Sequence, residues 1–307
     1  MEKILKQGGN WNEKQIIDDA SKFLDAIIKK GNSLKINEDL FIWSCMLNHK
    51  VMLDMELTYE EAKEFYEMII QSMKIMVSPE ILINCECIGN QMKLPETRNY
   101  RKTMIEKYKV ILKRQYEETS EETLCIMAAA FYDIFMFAGG LSVPLGIHNA
   151  LAVIYSSQSP KNQDLEINEE NLTAFVFEVL RFYPLVMSVH YITGDEDKQR
   201  KIISIANALR DPEVWGEDVN EFRLREIATY HELSTMFGEK MIDKENPANN
   251  RYCPGKDFAL QMIFNFLKAF FKRKENFNIN KKVHDEIIIG INNLTTTWEF
   301  EIYNTYI

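Results

Sequence analysis

The spacing of apolar residues predicts helices through most of the first half of the chain. Between residues 16 and 28 apolar positions recur three and four apart, as on one helix face, and Gly31 follows as a stop signal. Thr58 and Glu61 have the spacing of a capping box ahead of a second apolar stripe. Pro95, a residue suited to the first turn of a helix, opens a third segment of this kind.

The most apolar stretch of the chain is residues 124–155. Thr119 and Glu122 precede it with capping-box spacing, and polar residues leave no uninterrupted run of 18 apolar residues. We therefore expect one long helix buried in a globular domain rather than a membrane span. Gly139 and Gly140 lie inside it. Each costs about 1 kcal/mol relative to alanine in a helix, so we expect a functional or close-packing reason for both.

The predicted secondary structure changes near Pro184, from long helices to shorter elements. A helix over residues 168–183 stops there, residues 201–206 have the composition of a short strand, and a last helix is predicted over residues 254–274. Alternating apolar residues around Trp298 predict a half-exposed strand. No internal repeat or linker interrupts the chain. We expect one mainly α domain with a minor β-sheet over residues 1–307.

Composition excludes several classes of protein. A chain of 307 residues with 46% hydrophobic and 27% charged residues is typical of a globular protein, and a net charge of −10 disfavours nucleic-acid binding. Five scattered cysteines, an odd number, predict no disulfide framework and favour a reducing, cytoplasmic setting. The first residues contain no apolar segment, so we expect no signal peptide and no membrane anchor.

Cys253 carries the most specific candidate chemistry. Pro254 fits the first turn of the following helix, which places the cysteine at a helix N-terminus, where free N–H groups stabilise a thiolate. Gly255 lets another group approach closely, and Arg251 is a neighbouring cation. This arrangement suits an axial ligand of haem iron, with Arg251 on a propionate. An inert buried cysteine is the alternative that these residues alone leave open.

Further motifs lie upstream of Cys253. They are, in chain order, Ala138-Gly139-Gly140-x-Ser142, Glu178-x-x-Arg181 and Asp211-Pro212-x-x-Trp215 with Phe222. Each motif alone is common; Glu-x-x-Arg, for example, is usually a solvated surface pair. Taken in this order together with Arg251-x-Cys253-x-Gly255, they resemble the cytochromes P-450, which are haem-thiolate enzymes. The resemblance covers roughly residues 10–307.

The resemblance implies a haem-thiolate oxidoreductase, a monooxygenase or a peroxide-driven enzyme, that acts on a small apolar substrate with haem b as cofactor. The implied haem and ion-pair residues are Cys253 as metal ligand, Arg251 and Gly255 beside the haem, and Glu178 and Arg181 with Arg223 or Arg225. Four residues are implied to line the oxygen side of the haem: Ala138, Gly139, Gly140 and Ser142. The resemblance implies catalytic roles for Gly139, Gly140 and Ser142.

The sequence also departs from the family. On the oxygen side of the haem, the family usually has an acid followed by a threonine. Leu141 stands in place of the acid, and Ser142 in place of the threonine. The first helices and strands, which roof the substrate pocket in the family, have no counterpart, so we expect a shortened fold that a partner chain or self-association could cover. Alternative functions are a fatty-acid hydroperoxide lyase or isomerase and a non-catalytic haem-binding or degenerate partner protein.

The oxidant also stays open at this point. It is either O₂ with a ferredoxin- or flavodoxin-type electron donor, or a peroxide. The cations that could dock an acidic donor near the cysteine's face are Lys268, Lys272, Arg273 and Lys274. The interpretation we favour for them is a cationic helix C-terminus, which the helix dipole stabilises.

Overall fold

A computed structural model describes eleven stretches of the chain. They are residues 12–30, 34–76, 95–135, 139–155, 165–185, 188–192, 200–237, 253–280, 285–286, 297–298 and 301–304. Two of the predicted site residues, Ala138 and Arg251, lie outside the described residues.

The described residues form mainly helices, with a small amount of β-sheet. The helices are α1 (Glu13–Lys29), α2 (Ile36–Leu53), α3 (Tyr59–Met76), α4 (Pro95–Gln115), α5 (Glu121–Asp133), α6 (Gly139–Tyr155), α7 (Leu172–Phe182), α8 (Ile205–Ala208), α9 (Pro212–Trp215), α10 (Ile227–Leu233) and α11 (Lys256–Phe271). The strands are β1 (Leu34–Lys35), β2 (Ser188–Ile192), β3 (Arg200–Ser204), β4 (Phe277–Asn280), β5 (Asp285–Glu286), β6 (Thr297–Trp298) and β7 (Glu301–Asn304). The predicted fold class, mainly α with a minor sheet, is confirmed.

Strand pairing joins the two ends of the chain. In the three-stranded sheet β7 lies between β1 and β4, and both pairs are antiparallel, with Ile302 opposite Leu34 on one side and Ile279 on the other. β2 and β3 form an antiparallel hairpin, and β5 pairs with β6. The strand predicted over residues 201–206 ends at Ser204, where the helix α8 begins.

One predicted capping box is confirmed and the other is wrong. The Thr58 N–H donates to Glu61 Oε2 at 3.0 Å, and the Glu61 N–H donates to Thr58 Oγ1 at 3.2 Å. For α5 the cap is Ser120, which has extended backbone angles and accepts from the Thr123 N–H at 3.3 Å. Thr119 instead lies in the turn before it. Two hydroxyl residues side by side made this boundary ambiguous in the sequence.

Two described helices, α5 and α6, occupy most of residues 124–155, where one long helix is predicted, and residues 136–138 between them lie outside the described residues. α5 ends at Asp133, a π-helical turn follows, and α6 begins at Gly139. A Cβ atom on Gly140 would lie 1.7 Å from the Phe135 carbonyl oxygen, so the backbones at this junction approach too closely for any side chain. A Cβ on Gly139 would be 3.4 Å from the Asn48 amide nitrogen, a tight but ordinary contact. Close packing accounts for glycine at position 140.

α6 is the central helix of the described structure. It packs against α2, α7 and α11, and its buried face continues from Val143 to Val153. α1 lies along α11, where Arg273 pairs with Asp25 through two hydrogen bonds of 2.6 and 2.9 Å. Among the described helices, none is both long enough and apolar enough to cross a membrane.

A histidine is buried where α2, α3 and α4 meet. His49 Nδ1 is 2.7 Å from the Cys45 carbonyl oxygen, and its Nε2 is 2.5 Å from the Tyr108 hydroxyl. A carbonyl can only accept, so Nδ1 carries the proton and Nε2 accepts from Tyr108. Burial lowers the pKa of His49 from 6.5 to about 4, because the charged imidazolium loses its hydration. The neutral ring is therefore the form that the core accommodates.

The depressed pKa of His49 predicts a loss of stability in mild acid. Above pH 6.5 the ring is neutral in both states, whereas between pH 6.5 and about 4 the unfolded chain takes up a proton that the folded state does not. The free energy of unfolding should fall by about 3 kcal/mol across this window through His49. Urea unfolding at several pH values should show a shallower pH dependence in His49→Gln than in the native protein. Equal slopes would contradict the assignment.

Gly140 and Gly139 form a matched pair for testing the junction. Gly140→Ala should lower the free energy of unfolding by about 3 kcal/mol or more, because a backbone must move to admit the methyl group. Gly139→Ala should change it by less than about 1 kcal/mol, since helix propensity offsets a mild contact. Denaturant unfolding of both variants measures the difference, and equal effects would show that the junction does not require Gly140.

Candidate functional site

Glu178 and Arg181 form a fully buried ion pair on α7. The Arg181 Nε and Nη2 atoms donate to the two Glu178 carboxylate oxygens at 2.9 and 2.8 Å, and neither side chain is exposed to solvent. Their spacing of three residues puts them on one helix face, so a single helix positions both groups. Such a bidentate geometry fixes the guanidinium plane as well as its charge.

Three further donors surround the Glu178 carboxylate. Arg225 Nη1 donates to it at 2.6 Å, the Arg223 backbone N–H at 3.2 Å and the Tyr230 hydroxyl at 2.9 Å. The sequence analysis left Arg223 and Arg225 as alternatives: Arg225 supplies the side chain, whereas the Arg223 side chain pairs with Asp218. Burial first, and then the Glu178 charge, raise the pKa of Tyr230 well above its usual range, so its phenol remains a donor.

Arg181 also ties α7 to the loop that follows α8. Its Nη1 donates to the Leu209 and Val219 carbonyls at 3.1 and 2.8 Å, and its guanidinium lies 5.3 Å from the centre of the Trp215 ring. Phe222 packs against α7 through Phe182, with ring centroids 5.2 Å apart. The predicted Trp and Phe anchors of this loop are therefore both packed around the ion pair.

Cys253 lies at the start of α11. Its backbone N–H donates to the Phe237 carbonyl at 2.8 Å, which ties the cysteine to the segment after α10. α11 begins at Lys256 with Gly255 as its cap, and no side chain within the described residues caps it. Its first-turn N–H groups therefore point toward the cysteine end without a side-chain acceptor, which favours a thiolate there.

Two contacts show that α6 and α11 run in the same direction. A Cβ on Gly146 would lie 2.6 Å from Ile263 Cδ1, and the Tyr155 and Phe270 ring centroids are 6.4 Å apart. Because the contacts advance toward the C-terminus on both helices, both N-termini lie at the same end. At 1.5 Å per residue, Ser142 lies about 6 Å before Gly146 along α6. The first residue of α11, Lys256, lies about 10 Å before Ile263 along α11.

The described residues fit the axial-ligand side of a haem site. The Cys253 sulfur is 4.0 Å from the place that a Cβ on Gly255 would take, so a methyl group there would touch the sulfur without a clash. The residue is only partly buried, and cysteine thiolate is an established protein ligand of haem iron. The contact that we predict between Arg251 and a propionate falls outside the described residues and stays a prediction.

The oxygen-side residues receive mixed support from the geometry. Close packing against the Phe135 carbonyl explains Gly140, whereas the contact of Gly139 with Asn48 would admit a methyl group. Ser142 is partly buried at the end of α6 that the start of α11 shares. A catalytic role of these three residues stays a prediction, and Ser142 is the one whose position keeps it a candidate.

The cationic cluster at the end of α11 lies far from the cysteine. The prediction that it lies near the cysteine's face is wrong. α11 has 16 residues, so about 24 Å of helix separates its two ends. Lys268 pairs with Glu13, and Arg273 pairs with Asp25, both on α1. These cations hold α1 against α11, and they do not support a donor-docking surface beside Cys253.

The structure resembles solved cytochrome P-450 structures. CYP109E1 from Bacillus megaterium, in complex with corticosterone, matches 99% of this chain and 82% of its own at 16% identity, with a TM-score of 0.67. P450BioI, in complex with acyl carrier protein ligated to hexadec-9Z-enoic acid, matches 95% of this chain and 74% of its own at 15% identity, with a TM-score of 0.65. Neither a family model nor a curated protein sequence matches the chain. The chain therefore has the cytochrome P-450 fold.

Sequence reasoning missed two parts of this site. Tyr230 has no motif around it, and only the tertiary structure brings its hydroxyl to Glu178. The Phe237 carbonyl is a backbone group, so no residue type marks it. The third charged residue of the cluster, in contrast, was limited to Arg223 or Arg225 by the resemblance to the family.

The ion-pair geometry predicts a large cost for removing Glu178. Glu178→Ala leaves the Arg181 charge buried without its carboxylate partner and leaves Arg225 with Asp218 alone, which should lower the free energy of unfolding by about 3–5 kcal/mol. Arg223→Ala is the matched control: it removes a mostly exposed side chain but keeps the backbone N–H, and should cost less than about 1 kcal/mol. Urea unfolding measures both. A Glu178→Ala protein as stable as the control would show that the pair is dispensable.

Proposed function

We propose that the chain binds haem b through Cys253 and acts as a haem-thiolate oxidoreductase on a small apolar organic substrate. The observation that carries the proposal is the shared end of the parallel helices α6 and α11, where Cys253 precedes α11 and Ser142 lies on α6. The cytochrome P-450 fold supports the same assignment. CYP109E1 in complex with corticosterone is an example of that fold with a small apolar molecule.

The described residues would serve the haem in distinct ways. Cys253 would supply the axial thiolate, and the uncapped first turn of α11 would stabilise its negative charge. Gly255 would leave the sulfur accessible, while the hydrogen bond to Phe237 would hold the cysteine backbone in place. Haem with a thiolate ligand, when bound, supplies activation of O₂ or of a peroxide.

Proton supply separates the two oxidants. Insertion of one oxygen atom from O₂ needs two electrons and two protons and releases water, whereas a peroxide already carries these electrons and protons. Leu141 offers no titratable group on the oxygen side of the haem, so Ser142 and water would have to pass both protons. We therefore propose that the peroxide route is the more efficient one, and that a reductase with O₂ gives uncoupled turnover.

The axial-ligand assignment predicts a specific spectral loss. Haem-reconstituted native protein, reduced and treated with carbon monoxide, should show the strongly red-shifted Soret band of a thiolate ligand. Cys253→Ala should lose that band and keep its helical circular dichroism, because the side chain is only partly buried. Cys125→Ala, on the partly exposed part of α5, is the control and should keep the band.

Two results would count against this assignment. Retention of the red-shifted band in Cys253→Ala would exclude Cys253 as the ligand. Native protein that folds but takes up no haem would favour the degenerate partner protein instead.

The proton argument predicts how a restored acid changes coupling. Leu141→Glu should lower the hydrogen peroxide released per electron consumed with a reductase, by severalfold, because a carboxylic acid can relay the second proton. Leu141→Gln has similar size without the acid and should leave the ratio unchanged. Ser142→Ala should slow O₂-dependent turnover more than peroxide-driven oxidation of guaiacol. Tight coupling of the native protein, with no peroxide-driven activity, would contradict the proposal.

A further inference from the structure

A cavity of about 770 Å³ lies between α1, α2 and the start of α3. None of its lining residues belongs to the Glu178 cluster or to the Cys253 end of α11. Its volume falls within the range of about 300–1,000 Å³ that small-molecule sites occupy. The cavity is thus separate from the candidate haem site.

Two helix faces with the same chemical order form the walls of this cavity. Each face presents a carboxylate, an aromatic ring, an apolar residue and a lysine at positions i, i+4, i+7 and i+11. On α1 these are Asp19, Phe23, Ala26 and Lys30, and on α2 they are Asp39, Trp43, Met46 and Lys50. α1 lies along α11 whereas α2 packs on α6, and the cavity lies between the two faces.

Four of the five lysines around the cavity contact other groups, and the charge of the fifth, Lys22, partly opposes the rise in the pKa of Asp19 that burial causes. Lys35 and Lys63 both pair with Glu38, at 3.6 and 3.4 Å, and these side chains are at the rim. Lys50 pairs with Glu56 at 3.4 Å. The Lys30 ammonium lies 5.8 Å from the centre of the Tyr59 ring. The rim charges therefore largely neutralise one another, and the deeper carboxylates set the chemistry of the interior.

Both oxygens of the Asp39 carboxylate accept a hydrogen bond, whereas within the described residues only one oxygen of Asp19 does. Asp39 accepts from the Lys35 N–H at 2.7 Å and from the Tyr59 hydroxyl at 2.9 Å, one on each oxygen. Asp19 accepts from Trp43 Nε1 at 3.2 Å on Oδ1, and within the described residues no donor reaches its Oδ2. Burial raises the pKa of Asp19, because the nearby Lys50 and the Trp43 hydrogen bond do not fully offset the lost hydration.

We propose that this cavity binds a small organic monocation, an amine with an apolar body. Its ammonium group would donate to Asp19 Oδ2 and replace the missing hydration of the carboxylate. Its apolar body would lie against the ring of Phe23 and against Met46, since cations and alkyl groups both gain from contact with aromatic faces. A carboxylate ligand would instead place a second negative charge beside Asp19.

Three probes with the same chain and different head groups test the proposal. Octylammonium, 1-octanol and octanoate are titrated into the protein by isothermal calorimetry at pH 7 and low salt, without haem. Octylammonium should bind at least tenfold more tightly than the other two, because only its head group pairs with Asp19. Asp19→Asn keeps an acceptor for Trp43 but loses the charge, and should reduce octylammonium binding to within twofold of octanol binding.

Two variants complete the design. Glu60→Gln removes one exposed negative charge from the rim and should change the affinity for octylammonium by less than twofold, which separates a specific contact from general attraction. Ala26→Trp fills the exposed side of the cavity and should abolish binding of all three probes, even if Asp19→Asn fails to fold. Equal affinities for the three probes, no binding of octylammonium, or unchanged binding in both Asp19→Asn and Ala26→Trp would each overturn the proposal.

Discussion

The Glu178 carboxylate is the constraint on which much of the described structure depends. It has no exposure to water, so a charge in this position is stable only while its donors remain in place. Those donors come from α7 itself, from the loop after α9 and from α10. A single buried charge thus fixes the relative positions of three consecutive parts of the chain.

The same constraint extends to the candidate haem ligand. α10 is held at Glu178 through Tyr230, and shortly after α10 the Phe237 carbonyl accepts the Cys253 N–H. Arg181 meanwhile holds the loop that contains Trp215 through the Leu209 and Val219 carbonyls. The ion pair therefore acts as a positioning element, and we do not assign it a step in the chemistry. Its loss should disturb the cysteine end through the backbone rather than through direct contact.

How much could be predicted from the sequence depended on whether the signal was local. The capping box at Thr58 and the helix behind Cys253 depend on neighbouring residues, and both were predicted. The specific requirement for Gly140 was not predicted, because it comes from the close approach of the Phe135 carbonyl, which no residue type marks. The cap at Ser120 was missed by one residue, since Thr119, and not Ser120, has a glutamate three residues later.

The account makes Cys253 the one protein sulfur bound to iron, at the end where α6 and α11 begin. X-ray absorption at the iron edge of the haem-reconstituted protein tests this most directly, because sulfur and nitrogen scatterers are distinguishable in the first shell. The account predicts one sulfur in the native protein and none in Cys253→Ala. A native spectrum with only nitrogen and oxygen ligands would contradict it.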